Sequence, residues 1–175
     1  CWRAPVGAQA APNQQPGVLS GTQFDVRIGE QCVHFTGSPR VAQTVNGLLP
    51  APILRWKEGD TVTVRVANVL KQDHASIHWH GILLPANMDG VPGLSCLGIA
   101  PGQRYDYRFT VNQAGTYWYH SHSRFQEQVG LYSPIVLAQR GGVRFAAERG
   151  DVGMLSDWSA IDPKHVLPSV EEHSN

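Results

Sequence analysis

From Thr22 onward, apolar and polar residues alternate in short runs broken by turn residues, the period-two signature of strands with one buried face. The clearest run follows Gly59-Asp60: Val62, Val64 and Val66 face one way while Thr61, Thr63 and Arg65 face the other. In a second run Tyr105, Tyr107, Phe109 and Val111 alternate with Asp106, Arg108 and Thr110, between Pro101-Gly102 and Ala114-Gly115. Thr116 to His122 comes at once afterwards, which predicts that these two strands pair. Thr22 to Ile28 and Gln31 to Phe35 flank Gly29-Glu30, and that spacing predicts a hairpin. Asn46-Gly47 marks a further turn, and Leu131 to Leu137 supplies a last strand. Strands at this spacing, joined by loops and not by helical crossovers, predict an all-β Greek-key sandwich without internal repeats.

Composition supports this picture. The 175 residues suit one sandwich with some chain to spare, and 18 Gly, 12 Pro and five Trp fit short strands and tight turns better than a helical bundle. Lys plus Arg and Asp plus Glu are 14 each, so charge points to neither nucleic acid nor a membrane surface, and no apolar run is long enough to span a bilayer. Ala8-Gln9-Ala10 before Ala11-Pro12 has the small-x-small form of a secretory cleavage site. Residues 1–20 therefore read as a signal-peptide remnant and flexible leader, although a plain Ala/Gln/Pro linker has the same composition and Cys1 is also compatible with a lipoprotein-type first residue. Residues 21–140 hold the sandwich, closed by Gly141-Gly142, and 141–175 read as a linker and the start of a following domain. Cys1, Cys32 and Cys96 are odd in number and show no C-x-x-C spacing, so they imply neither a zinc knuckle nor a closed disulfide framework.

Candidate chemistry sits in two strands. In Ser76-Ile77-His78-Trp79-His80-Gly81, alternation puts His78 and His80 on one face, ~6 to 7 Å apart along the chain, with Trp79 on the other. Thr116-Tyr117-Trp118-Tyr119-His120-Ser121-His122 repeats the device with His120 and His122. Side by side, two such strands would converge four imidazoles. Neutral imidazole binds copper, zinc, iron and nickel, and no carboxylate or thiolate accompanies the pairs. One His-x-His alone would be as readily a half-buried aromatic pair; two, each wrapped in aromatics, point to a metal. A mononuclear cupin-type site would want a Glu a few residues after the first pair, where Leu83, Leu84 and Pro85 stand.

Four stretches carry a resemblance: Asn46-Gly47 through Pro52, Leu54 through Asp60, His78-Trp79-His80-Gly81 through Gly93, and Gly115 through His122. Together they resemble the N-terminal domain of multicopper oxidases, closest to the bacterial copper-resistance branch, relatives of laccases, from about Thr22 to Gln139 and more loosely through Met154-Leu155-Ser156-Asp157-Trp158. The resemblance implies a cupredoxin-like Greek-key β-sandwich in the periplasm that supplies half of a trinuclear cluster of type 2 and type 3 copper. His78 then binds the type 2 copper, and His80, His120 and His122 bind the type 3 pair. Asp89, in the turn after the first motif, is similar to a residue thought to relay protons during dioxygen reduction; a plain turn residue before Gly90 is the equal alternative.

Cys96 stands where that branch has an apolar residue, Arg124 where a small residue is usual and Ser133 where Gly is common. Cys96 reads as a buried small hydrophobe, or as a bridge to Cys32 or to another domain. His34, His74, His165 and His173 read as surface or loop histidines, and Gln126, Glu127 and Gln128 as a solvated polar loop more than as groups orienting the ligands. No His-Cys-His run is present, so the remaining cluster ligands, and the copper site that accepts electrons from a reduced substrate such as cuprous ion or phenols, belong to a C-terminal cupredoxin domain outside these residues. Two other readings remain: a single-domain copper-binding carrier with a closed mononuclear site, and a non-catalytic partner assembling with another polypeptide.

Overall fold

A computed structural model describes residues 17–142, 150–159 and 161–166. In chain order its strands are β1 (Val18–Ser20), β2 (Gln23–Val33), β3 (Arg40–Val45), β4 (Ile53–Lys57), β5 (Thr61–Asn68), β6 (His78–His80), β7 (Arg104–Thr110), β8 (Gly115–His120) and β9 (Tyr132–Ala138), with one 3-10 turn at Ala86–Met88. One sheet has the order β1-β4-β9-β8-β6 and the other β3-β2-β5-β7. The all-β sandwich expected from the alternating pattern is the observed architecture. Parallel and antiparallel pairs are mixed: β1 with β4, β4 with β9 and β2 with β5 run parallel.

The inward faces meet in an aromatic layer. Val62, Val64 and Val66 are buried as their spacing predicts, as are Tyr107, Phe109 and Val111. From the other sheet Trp56 meets Phe109 at 5.7 Å between ring centroids, and Trp79 meets Tyr107 at 5.3 Å and Phe109 at 5.5 Å. Removing ~200 Å² of such a ring from water is worth about 5 kcal/mol as an upper bound. Trp79, only 1 % exposed, lies between His78 and His80, so the same residue that anchors β6 in the core holds its two neighbours on the opposite face.

Two pairings differ from the sequence expectation. Gly29-Glu30 makes no hairpin: β2 runs straight through it for 11 residues. The strand changes partner there, Gln23 to Ile28 lying parallel to Thr63 to Asn68, and Ile28 to Val33 antiparallel to Val45 to Arg40. Gly29 suits that crossover because a Cβ would press on the Val69 side chain at 3.3 Å. Nor do β7 and β8 pair. β7 completes the second sheet beside β5, and the chain crosses through Val111 to Ala114 so that β8 joins β6 and β9 in the first. Both strands bury one apolar face, which is compatible with neighbours in one sheet or with opposite layers. The Asn46-Gly47 turn is as expected, with both residues at positive φ (54° and 74°).

Asn68 anchors the loop that leads to β6. Fully buried, it donates through Nδ2 to the carbonyls of Asp73 (2.9 Å) and Ile99 (2.7 Å), while its Oδ1 accepts from the Leu70 amide at 2.9 Å. Met154 to Trp158, where the family resemblance is looser, forms no strand, and the Trp158 ring packs edge-on against Phe35 at 5.1 Å. No helix among the described residues is long and apolar enough to cross a membrane. The cleavage-like Ala8-Gln9-Ala10, Cys1 and His173 lie outside the described residues.

Candidate metal centre

The register of β6 against β8 assembles the histidines. The two strands are antiparallel, with His78 opposite His120 and His80 opposite Trp118, so residues 42 and 38 positions apart in sequence share one face. Ring nitrogens of His78, His80 and His120 lie within 4.8 Å of one another. His122 falls two residues past the end of β8, and its ring centroid is 5.6 Å from that of His78 and 6.0 Å from that of His120. Its placement depends on Ser76, whose Oγ accepts from the His122 amide at 3.0 Å and pairs with the Ser123 hydroxyl at 3.1 Å.

Hydrogen bonds select which nitrogen each ring can offer. His78 Nδ1 is 2.8 Å from the Asp89 carbonyl and 3.3 Å from Asp89 Oδ1, so it is the donor and Nε2 carries the lone pair. His120 Nδ1 is 2.8 Å from both the Ser121 carbonyl and Glu127 Oε2, with the same consequence. That leaves His120 Nε2 facing His80 Nδ1 at 3.3 Å, close enough for one ion at an ordinary metal–nitrogen distance of ~2.0–2.1 Å to touch both. Trp118 stacks on His120 at 4.2 Å and 21° and covers its outer side.

His120 is 5 % exposed. Burial, the largest cause, and the neighbouring His78, His80 and His122 together push its pKa down to about 4, against the pull of the Ser121 carbonyl. The Glu127 carboxylate, half in water, acts in the same direction as that carbonyl. His120 is thus neutral and able to ligate across the physiological range. Burial also raises Tyr107, opposed by its bond to the Ile77 amide, and raises Tyr119, whose hydroxyl donates to the Pro52 carbonyl at 2.7 Å. Both remain neutral phenols within the core.

Asp89 reaches His78 because Gly90 has φ +76° and packs so closely that a Cβ would collide with the Ile77 carbonyl. Gln128 is exposed, as the composition of the 126–128 segment suggests, but Gln126 and Glu127 are not part of a solvated loop. Gln126 is 3 % exposed, donates to the His74 carbonyl at 2.8 Å and accepts from Ser121 Oγ at 2.7 Å, and Glu127 touches His120 directly. No periodicity links position 127 to position 120 in a loop, so only the turn geometry reveals the contact.

Arg124 adopts φ +52°, the left-handed conformation that favours glycine, and its guanidinium lies 3.4 Å from Asp73. Ser133 is fully buried and donates to the Ala51 carbonyl at 2.6 Å. Cys32 and Cys96 are both free: Cys32 is exposed, and Cys96 is only partly buried. His34, His74 and His165 are exposed, as expected. A cavity of about 670 Å³, bordered by Gln43, Phe125 and Trp158, is lined by none of the four histidines.

A family model described as multicopper oxidase matches residues 12–142. The chain belongs to the multicopper oxidase family. Among similar proteins, it is 56 % identical over 174 residues to a copper resistance protein A homolog of Pseudomonas syringae pv. tomato, covering 99 % of this chain and 29 % of that protein. It is 56 % identical to copper resistance protein A of Escherichia coli over 157 residues, 90 % of this chain and 26 % of that protein. Among solved structures, a multi-copper oxidase from Pseudomonas thermotolerans superposes with a TM-score of 0.64 at 35 % identity, over 71 % of this chain and 31 % of that one. A multicopper oxidase from Campylobacter jejuni, described as a metallo-oxidase, gives 0.63 at 31 % over 71 % and 28 %. The chain therefore spans under a third of the length of each of these four proteins. Copper, the metal this family binds, fits the site: the converging donors are imidazole nitrogens, and two of the rings have their tautomers set so that Nε2 is free.

Proposed function

We propose that this chain supplies His78 to the type 2 copper, and His80, His120 and His122 to the type 3 coppers, of a trinuclear cluster in a periplasmic copper-resistance oxidase. The whole protein would take electrons from a reduced substrate, such as cuprous ion or phenols, and reduce dioxygen to water. Further ligands and the electron-accepting copper would come from another cupredoxin domain. The observation that carries this reading is the β6/β8 register, which brings nitrogens of His78, His80 and His120 within 4.8 Å and leaves His122 beside them. The periplasmic location is supported by the cleavage-like Ala8-Gln9-Ala10.

Bound there, copper supplies the redox centre through which electrons reach dioxygen. His78 and His120 each present Nε2 because Nδ1 is committed to an oxygen acceptor, while His80 presents Nδ1. Trp118 stacks on His120 and limits water at that buried ring, while His80 and His122 stay exposed to the side from which further ligands would come. Asp89 Oδ1, 3.3 Å from His78 Nδ1 and about one third exposed, would take protons from solvent and pass them towards the site.

The test is copper stoichiometry and EPR on the chain alone. A half-site predicts weak or substoichiometric copper that His78→Ala abolishes, with affinity falling as pH drops through the imidazole range. One tight equivalent per chain would instead favour a single-ion carrier in which the four histidines close one mononuclear site. Affinity unchanged in His78→Ala, or independent of pH, would sink the ligand assignment.

A further inference from the structure

We propose that Glu127 is a positioning residue for His120, holding the ring in its Nδ1–H tautomer and aiming Nε2 at the metal face. This rests on reading His120 as a copper ligand. The Oε2 to Nδ1 distance is 2.8 Å, with the imidazole side chain 7 % exposed and the carboxylate 44 % exposed. That asymmetry matters: the ring is buried enough for the contact to be strong, while the carboxylate keeps much of its hydration and avoids the full cost of a buried charge. On the far side of the ring, Nε2 lies 3.3 Å from His80 Nδ1, so a proton on Nε2 would occupy the position a shared ion needs.

The Ser121 carbonyl also accepts from Nδ1 at 2.8 Å, and a carbonyl alone can select a tautomer. What it lacks is net charge. A carboxylate adds basicity to the ligating nitrogen and makes the opposite tautomer costlier, since that form would set a lone pair against an anion. His78 has the same pair of acceptors on Nδ1, with the Asp89 carbonyl at 2.8 Å and Oδ1 at 3.3 Å. The Glu127 contact is the shorter of the two carboxylate contacts.

The loop holds Glu127 in place independently of any metal. Gln126, its neighbour, is tied at both ends of its amide to Ser121 and His74, and the Glu127 carbonyl accepts from the Gly130 amide at 3.1 Å. The carboxylate therefore approaches the ring from an anchored backbone, so its ordering cost is largely met by the fold.

The test uses the full chain with Glu127→Ala, Glu127→Gln and His120→Ala. Cu(II) affinity is read by competition with a chromophoric chelator, and the His120 tautomer by long-range ¹H–¹⁵N correlation in the metal-free protein. The proposal expects Nδ1–H in the parent chain. Glu127→Ala should weaken copper ~10–100-fold and mix the tautomers, whereas Glu127→Gln, which still offers an acceptor, should keep the tautomer and lose less affinity. An unchanged tautomer and affinity in Glu127→Ala would overturn it and leave the Ser121 carbonyl sufficient. So would equal affinity losses in both Glu127 variants with the tautomer intact, the pattern of a merely structural side chain. If His120→Ala leaves copper affinity untouched, the ligand reading itself fails, whatever Glu127 does to the ring.

Discussion

Replacing Gly90 by alanine should damage the fold and the site together, and Gly102 offers a matched control. Both glycines have φ +76°, so alanine carries the same left-handed strain at each, ~1–2 kcal/mol. A gain of ~0.4–1 kcal/mol from stiffening the unfolded chain partly offsets it. At Gly102 nothing lies within 4 Å of the added Cβ, so Gly102→Ala should cost about 1 kcal/mol. At Gly90 the new Cβ meets the Ile77 carbonyl, a backbone atom that no rotamer change can move aside. Ile77 must shift, and its amide bond to Tyr107 Oη (3.2 Å) and the Asp89 to His78 contact shift with it. Added to the ~1 kcal/mol of net strain shared with Gly102, repacking at ~1–3 kcal/mol and weakened hydrogen bonds at ~1 kcal/mol each bring the total to about 4–6 kcal/mol. Urea unfolding of both variants with equal m-values measures the difference directly. Stabilities within ~0.5 kcal/mol of each other would refute the close-approach argument.

Two further outcomes follow from buried polar groups. As pH falls, the unfolded chain protonates His120 near ~6.5 while the fold resists until about 4, so stability is complete above ~6.5, declines between those values and loses nothing more from this group below them. The full loss is about 3 kcal/mol at most, less whatever Glu127 restores; urea midpoints of the metal-free chain at several pH values should show it, and an identical slope in His120→Gln would disprove it. Asn68→Ala strands the Asp73 and Ile99 carbonyls and the Leu70 amide, and should cost about 3 kcal/mol by thermal unfolding. A loss below ~1 kcal/mol would mean that water replaces the amide.

Features governed by local periodicity were legible from the sequence. The valines of β5 and the alternation of β6 declare their faces without knowledge of any partner, which is why His78 and His80 could be placed together. Which strands pair depends on contacts remote in sequence. Gly29-Glu30 has the composition of a hairpin turn, whereas in the fold it serves a change of neighbour for β2 from β5 to β3. β7 and β8 were expected side by side because they are consecutive, but they belong to opposite sheets. β1 is only three residues long, too short to show alternation. Within the site, the histidines were visible as a spacing, while Glu127, Gln126 and Ser76 were not, because their roles arise from loop closure and follow no period.

β6 lies at the margin of its sheet and is three residues long. A long strand there would offer a row of free backbone groups to any passing chain, an invitation to unplanned association. Three residues, anchored from behind by Trp79, leave little to template. The protein thus keeps imidazoles on an approachable border of the sandwich while giving strangers almost no backbone to zip onto. What can dock against that border is selected by side-chain chemistry and not by strand addition.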